Sequence, residues 1–433
     1  MSTNIQKNQI TEGIIWRQLL LFFFPILLGT FFQQLYNTID SVIVGQFVGK
    51  EALAAVGGSS AQIVAFVVGF FTGLSSGASV TIAQFFGAKD SRSANKGLHT
   101  AYAIAAFGGL ILTVSGIILT PFLLEMMNTP ADIVADSAVY LRIYFAGIIF
   151  VLIYNMGSAI LRATGDSKRP LYYLIVCCII NIVLDVLFVI VFHMGVMGVA
   201  VATLIAQAVS AVLVTLKLMR SEGILKLSVK QIRFHGSILK MQLKLGLPTG
   251  FEAILFSITN IAIQSAVNTF GTDTTAAWSA YGKLDAIFWM VSTAFGIAIT
   301  TFVGQNYGAG KMDRVRKSTR VCLLMDFIVS AVLVVFLIAA RFLLFRLFTN
   351  DSHVIEIGCD MLVLITPWYI VYVFIEVIAG ALRGVGNVVV PVAITLLGVC
   401  VLRIAWLAAM LKISPTISAI ILSYPVTWVI TAL

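Results

Sequence analysis

The decapeptide LRATGDSKRP, Leu161–Pro170, returns as LRGVGNVVVP at Leu382–Pro391, 221 positions later. At the same interval QFFGAKD, Gln84–Asp90, returns as QNYGAGK, Gln305–Lys311. Pro25 and Pro248 stand 223 apart, so a two-residue gap aligns them as well. Three anchors at one spacing mark an internal duplication. The chain reads as two copies of one unit.

Composition says what fills each copy. Of 433 residues, 60% are hydrophobic and 11% charged, with a mean hydropathy of +1.01. A water-soluble domain of this length would expose too much apolar surface, so the chain is an integral membrane protein. Apolar runs of about 20 residues suit helices crossing ~30 Å of hydrocarbon rather than barrel strands. Twelve such runs are predicted, near 14–45, 53–82, 97–121, 137–161, 170–193, 196–216, 240–269, 276–304, 318–340, 355–381, 388–411 and 415–433. The last reaches Leu433 without a polar tail, which leaves room for a short tail beyond it.

Six spans per copy bring both copies into the membrane from the same side. The predicted fold is therefore all-α and polytopic, two six-helix lobes related by a pseudo-twofold along the membrane normal. The N-lobe is expected at 1–216, a cytoplasmic linker at 217–239 and the C-lobe at 240–433. An interfacial amphipathic helix is expected within Lys217–Lys240. Pro25, in the first span, is the expected hinge.

Most of the 28 basic residues fall on one side of this scheme: Lys7 and Arg17, then the clusters around Lys89, Arg169, Lys230, Arg314 and Arg383. The positive-inside rule makes that side, with the N-terminus, cytoplasmic. The net charge of +9 then reflects loops beside anionic lipid and not a nucleic-acid partner. No signal peptide is apparent. The five cysteines lack metal-like spacing and read as apolar packing residues.

Polar residues inside the spans carry the functional reading. Asn181 and Asp185, in NIVLD, are four apart and share a helix face. Asp185 lies fifteen residues, or ~22 Å of rise, beyond Pro170. A charged Asp near a membrane centre costs roughly 2.5–3.5 kcal/mol on insertion scales, so it signals use. Asp40 should reach a similar depth on the first span, and Thr203 on the sixth should face the same pocket. Two carboxylates, an amide and a hydroxyl form an all-oxygen site for a hard cation, or a carboxyl pair sharing a proton. Sodium would be held by Asp40, Asn181 and Asp185. Gln34, Tyr36 and Asn37, with Asn155 and Met156 on the fourth span, are expected to line a cavity for an amphipathic ligand. The second half keeps other acids, Glu252, Asp285 and Glu376, as candidates. Asp326 is expected to serve packing or the surface.

The chain resembles the multidrug and toxic compound extrusion (MATE) transporters. The resemblance runs over nearly the whole sequence and rests on Pro25, NTIDSVIVG (Asn37–Gly45), GASVTIAQFFGAKD (Gly77–Asp90), LRATGDSKRP, NIVLD, GQNYGAGK and LRGVGN. It implies two six-helix lobes around a V-shaped cleft, and export of drugs by cation antiport in a prokaryotic plasma membrane. The branch similar to the DNA-damage-inducible F type keeps an N-lobe acidic site. Its first-helix aspartate matches Asp40, its fifth-helix pair Asn181 and Asp185, its sixth-helix threonine Thr203. Its polar drug-chamber positions match Gln34 and Asn155. In the related NorM type C-lobe acids matter more; Glu252 and Glu376 lie on the corresponding helices, without that type's spacing.

The expected activity is alternating access. A sodium ion or protons bind Asp40 and Asp185, the first helix bends at Pro25, and an organic cation is expelled. No cofactor is expected beyond the coupling ion, and one chain should suffice for a pathway. Two other readings compete. A flippase for a lipid-linked sugar would need a cationic cleft, for which Arg403 and Lys283 are the candidates. An intramembrane aspartyl protease would need a GxGD motif within a span, and the nearest match, ATGD at Ala163–Asp166, sits in a basic loop.

Overall fold

The computed structural model describes residues 9–433, so Lys7 lies outside the described residues. Each predicted run is a helix. In chain order they are α1 (Ile15–Phe47), α2 (Lys50–Gly87), α3 (Ser91–Met126), α4 (Val134–Ala163), α5 (Lys168–Val191) and α6 (Gly195–Met219). The second copy gives α7 (Gly236–Asn268), α8 (Thr272–Gly308), α9 (Met312–Ala339), α10 (Ser352–Gly384), α11 (Val389–Ile413) and the shorter α12 (Ile417–Ala432). There is no strand among the described residues. Backbone groups in hydrocarbon have to be satisfied within each segment, and an all-helical chain does this. Side chains such as Ile118, Phe122, Val332 and Val335 stay exposed, as a lipid-facing surface requires.

Local sequence sets several helix starts. Asp90 caps α3, its Oδ1 accepting from the Ser93 N–H at 3.0 Å. That bond holds the Asp90 carboxyl below its usual range. Asp351 caps α10 by accepting from the amides of His353 and Val354. All five cysteines are buried and unpaired, as packing residues should be.

The duplication is visible in single hydrogen bonds. Ser79 Oγ donates to the Ala159 carbonyl at 3.3 Å, and Thr300 Oγ1 to the Gly380 carbonyl at 3.0 Å. Ser79 and Thr300 are 221 apart, as are Ala159 and Gly380.

Contacts divide the chain into two compact units, one of 24–250 and one of 9–23 with 251–433. Helices α1 and α7 each contribute to both. In the first unit, the start of α7 packs on α2 through glycines. A Cβ at Gly73 would collide with Gly250, and one at Gly77 with Gly246. Both helices present a small-xxx-small face, which lets backbones touch. Gln242 Nε2 also donates to the Gly97 carbonyl at 2.9 Å. In the other unit, the start of α1 packs on α8, with Phe23 stacked on Phe295 at 4.1 Å and Phe22 edge-on to Phe302. Arg314 Nη2 donates to the Ile10 and Gly13 carbonyls there, at 2.9 and 2.5 Å. Leu74, which Gly246 meets, and Phe295, which Phe23 meets, are themselves 221 apart. Pro25 and Pro248 lie inside helices that continue through them.

The connection after α6 departs from expectation. Instead of an amphipathic helix it holds two 3-10 turns, Gly223–Leu225 and Val229–Gln231. The reason is a set of side chains on α3 that satisfy its backbone. Asn95 Nδ2 donates to the Ile224 and Lys226 carbonyls, both at 3.0 Å, and His99 Nε2 accepts from the Ser228 N–H at 3.0 Å. An extended backbone held this way gains nothing by helix formation.

Candidate functional site

Helices α1, α5 and α6 bring Asp40, Asn181, Asp185 and Thr203 together within one unit. All four are buried, Asp185 completely. Asn181 Nδ2 donates to Thr203 Oγ1 at 3.4 Å, and Thr203 Oγ1 to Asp40 Oδ2 at 3.5 Å. These are long bonds, at the loose end of the useful range. The Asp40 and Asp185 carboxyl groups are neighbours that act directly on one another.

The backbone of α5 changes where the site is built. Asp185 is its last α-helical residue, and Val186–Val191 continues as a π-helix. Such segments cost hydrogen-bond quality and recur at functional sites.

Four oxygens are left without a protein donor: Asp40 Oδ1, Asn181 Oδ1 and both of Asp185. No Lys or Arg pairs with either aspartate among the described residues. Two buried carboxylates with no basic partner are strongly unfavourable. A proton on one, or a cation among the free oxygens, relieves that repulsion. The donor set is all oxygen, which suits a hard cation such as sodium. Among the described residues no cluster of three His, Cys, Asp or Glu exists that would suit a transition metal.

The predicted cavity residues separate. Tyr36 is buried beside this cluster, its hydroxyl accepting from Gln207 Nε2 at 3.3 Å. Gln34 and Asn37 lie exposed on α1. Asn155 is half-buried and bonds the Val151 carbonyl one turn back at 2.9 Å. Met156 is buried in the apolar core among α2, α3, α4 and α6.

Three further residues belong to the site. Gln207 is buried and keeps a free Oε1. Tyr140 and Tyr144 of α4 stack at 6.2 Å between ring centres; Tyr140 feels the charge of both aspartates. The signal for Gln207 was present, since it follows Thr203 by four on α6 as Asp185 follows Asn181 on α5.

Among the acids of the other unit, Asp285 and Glu376 have partners. Asp285 Oδ1 accepts from the Tyr369 and Tyr281 hydroxyls at 2.5 and 3.3 Å, and Oδ2 from Trp289 Nε1 at 2.7 Å. Glu376 Oε1 lies 3.8 Å from Arg383 Nη1. Glu252 is buried within range of the Glu376 and Arg383 charges. Asp326 is fully buried and not at the surface; its Oδ1 accepts from Ser330 Oγ at 3.2 Å and its Oδ2 has no hydrogen-bond partner.

A duplicated unit of six apolar helices, all but α12 long enough to cross a membrane, describes a polytopic membrane protein. The MatE family model matches residues 25–187 and 248–407, one match in each repeat, and the chain belongs to that family. It is 30% identical over 393 residues to the probable multidrug resistance protein YoeA of Bacillus subtilis, covering 89% of this chain and 84% of that one. It is likewise 30% identical to the probable multidrug resistance protein YpnP of the same organism, over 92% of this chain and 89% of that one. Among solved structures, an outward-facing multidrug resistance MATE transporter of the MOP superfamily superposes with a TM-score of 0.91. The identity is 21%, covering 100% of this chain and 96% of that chain. A MOP superfamily transporter from Pyrococcus furiosus gives 0.92 at 20% identity, with the same coverage. Family membership makes this chain a secondary transporter of the bacterial plasma membrane rather than an intramembrane protease.

Proposed function

We propose that the protein exports drugs and other organic cations in exchange for sodium or protons, with Asp40 and Asp185 as the coupling carboxylates. The observation that carries this reading is the buried, donor-poor carboxyl pair of α1 and α5, which has no basic partner. The names of YoeA and YpnP support the substrate class. Asn181 orients Thr203, Thr203 holds Asp40, and the free oxygens of Asn181 and Asp185 complete the ion's surroundings. Tyr36 with Gln34, Asn37, Asn155 and Met156 are the proposed substrate-contacting set.

In this reading the repeat halves, 1–216 and 240–433 joined by 217–239, alternate about the membrane with the N-terminus inside. One chain is the working unit. The ion and the organic cation have to prefer different states, since a ligand without that preference shifts no equilibrium. Neutralising the carboxyl pair removes its repulsion and favours a tighter arrangement of α1 against α5 and α6, with Pro25 as the point of bending. That differential is the coupling.

The test is reconstitution in liposomes with a fluorescent cationic dye, under a sodium gradient and a proton gradient imposed separately. Wild type moves dye under the coupling gradient, and Asp185→Asn does not. Equal dye movement in Asp185→Asn would remove the aspartates from the coupling step.

A further inference from the structure

The linker, 217–239, carries five Lys or Arg against one acid, Glu222, and the ion-coupling cycle does not use it. Its backbone is pinned to α3 by Asn95 and His99, and the His235 N–H donates to Thr100 Oγ1 at 3.3 Å. One side of the pinned segment faces inward. Leu227 is buried in the core of α2, α3, α4 and α6, and Leu225 and Ile232 pack against that core. The opposite side is left with Lys226, Lys230 and Arg233, all exposed, and with Val229 and Phe234, 60% and 46% exposed.

Phe234 fixes where that outer side lies. Its ring meets Phe107 of α3 edge-on, with ring centres 5.9 Å apart. Residues 97–105 of α3 are all buried. From Phe107 onward one face of the helix opens, and Phe107, Ile111, Val114 and Ile118 are between 49% and 69% exposed. Steps of three or four residues put them on one stripe, as a lipid-facing surface requires. From Phe107 to Met126, where α3 ends, the helix rises ~28 Å, about the thickness of the hydrocarbon core. Phe234 therefore sits at the edge of the lipid-facing band. The linker reaches it from the level of Asn95 through that of His99, so its cations lie on the headgroup side.

The other repeat gives an independent indication. At the 221-residue interval Phe107, Ile111 and Val114 become Ile328, Val332 and Val335 of α9, again exposed, between 52% and 68%. Asn95, Lys96 and His99 become Arg316, Lys317 and Arg320, all exposed. There the lipid-facing stripe runs straight into cations on the helix itself. In the first repeat two of those positions hold the linker instead, and the linker brings the cations. Each repeat thus ends its lipid-facing stripe in positive charge, by different means.

We propose that 226–234 is a lipid-binding strip for anionic phospholipid, with Phe234 at the hydrocarbon edge and Lys226, Lys230 and Arg233 on headgroup phosphates. A negative leaflet attracts cations held within about a Debye length of it, and an apolar wedge keeps them at that depth. Arg233 suits the task. His235 takes its Nε, at 3.4 Å, which leaves the two Nη groups to meet phosphate oxygens. The bonds from Asn95 and His99 order the strip in advance, so binding lipid costs little further freedom.

The native cysteines are buried, so a bimane label on Gln231→Cys reports the exposed side of the strip alone. The labelled full-length protein is placed in nanodiscs of phosphatidylcholine, or of phosphatidylcholine with ~30% phosphatidylglycerol. Both kinds carry the same amount of a lipid with a nitroxide on its headgroup. The two faces of a disc have the same lipid, so neither orientation nor ion coupling affects the outcome. Nitroxide quenching should be at least ~2-fold stronger in the anionic discs, and ~1 M salt should return it to the phosphatidylcholine level. Lys226→Gln, Lys230→Gln and Arg233→Gln together should remove the difference. Arg316→Gln, Lys317→Gln and Arg320→Gln, an equal loss of charge in the other repeat, should leave it in place. If the linker triple variant is not recovered folded, Arg233→Gln alone takes the same measurement and should lessen the difference. Equal quenching in the two discs, or a difference that survives loss of the linker cations, overturns the proposal. So does a label shielded from the nitroxide and from aqueous iodide alike, which would put a second copy of the chain on the strip.

Discussion

Thr203 Oγ1 donates to Asp40 Oδ2 at 3.5 Å while accepting from Asn181 Nδ2 at 3.4 Å, so one hydroxyl links three helices around the carboxyl pair. A long bond of this kind orients more than it stabilises. Thr203→Val keeps the shape and removes the hydroxyl. It should weaken apparent affinity for the coupling ion several-fold, with a smaller effect on the maximal rate. Thr203→Ser should stay near wild type. Ion titration of dye efflux in liposomes separates the two.

Neutralising either aspartate should have opposite effects on transport and on stability. Asp40→Asn and Asp185→Asn each remove half of an unpaired buried carboxyl pair. Gradient-driven efflux should fall at least ~10-fold, as expected when a coupling charge is lost. The Tm should hold or rise, because the repulsion is gone. A large drop in Tm would mark the pair as structural.

The contact between α2 and the start of α7 should tolerate no side chain. A Cβ at Gly77 would meet the backbone of Gly246. Backbone yields less readily than a flexible side chain, so Gly77→Val should cost about 3 kcal/mol or more. The fraction of monodisperse protein after solubilisation is a direct readout. Gly57→Ala, where a Cβ meets nothing within 4 Å, is the matched control.

The linker should loosen on acidification. His235 Nε2 accepts from Arg233 Nε at 3.4 Å, and its Nδ1 lies 3.1 Å from Thr100 Oγ1. Burial, then the charges of Arg233 and Lys96 and the ring of His99, hold His235 below its usual 6.5. A base with a lowered value in the folded state favours folding fully above the ordinary value and loses that contribution as pH falls below it. The His235 backbone N–H donates to Thr100 Oγ1 at 3.3 Å, and its exchange, corrected for intrinsic rate, should therefore speed up below about pH 6.5. His235→Asn should flatten that profile.

Much of this architecture could be read from hydropathy and repetition. Twelve apolar runs and a 221-residue spacing sufficed for the spans and the duplication, because a bilayer leaves little choice of secondary structure. Asp40, Asn181, Asp185 and Thr203 were legible for a related reason: polar groups in hydrocarbon stand out, and their four-residue spacing assigns them to a face. Tyr140, Tyr144 and Gln207 were harder. Tyrosine is common in spans for reasons unrelated to any site, and only the packing of α4 brings Tyr140 and Tyr144 to the aspartates. The linker misled for the opposite reason. Its sequence alternates charge and apolar residues in a helical manner, while Asn95 and His99, more than a hundred residues earlier, supply the bonds that hold it extended. Long-range capping of this kind leaves no local trace.

The exchange of helix starts has a consequence for the protein as a piece of modular engineering. The duplicated sequence invites a cut between the repeats, near residue 235. A fragment ending there would lose Gly236–Gly250, whose glycines close the α2 face and whose Gln242 reaches Gly97. The second fragment would begin with that orphaned strip and lack Phe22 and Phe23, which fill the groove on α8. Each half would carry the other's missing wedge. The gene divides at one place and the folded material at two, after Phe23 and after Gly250, so no single cut leaves both pieces with their own interior.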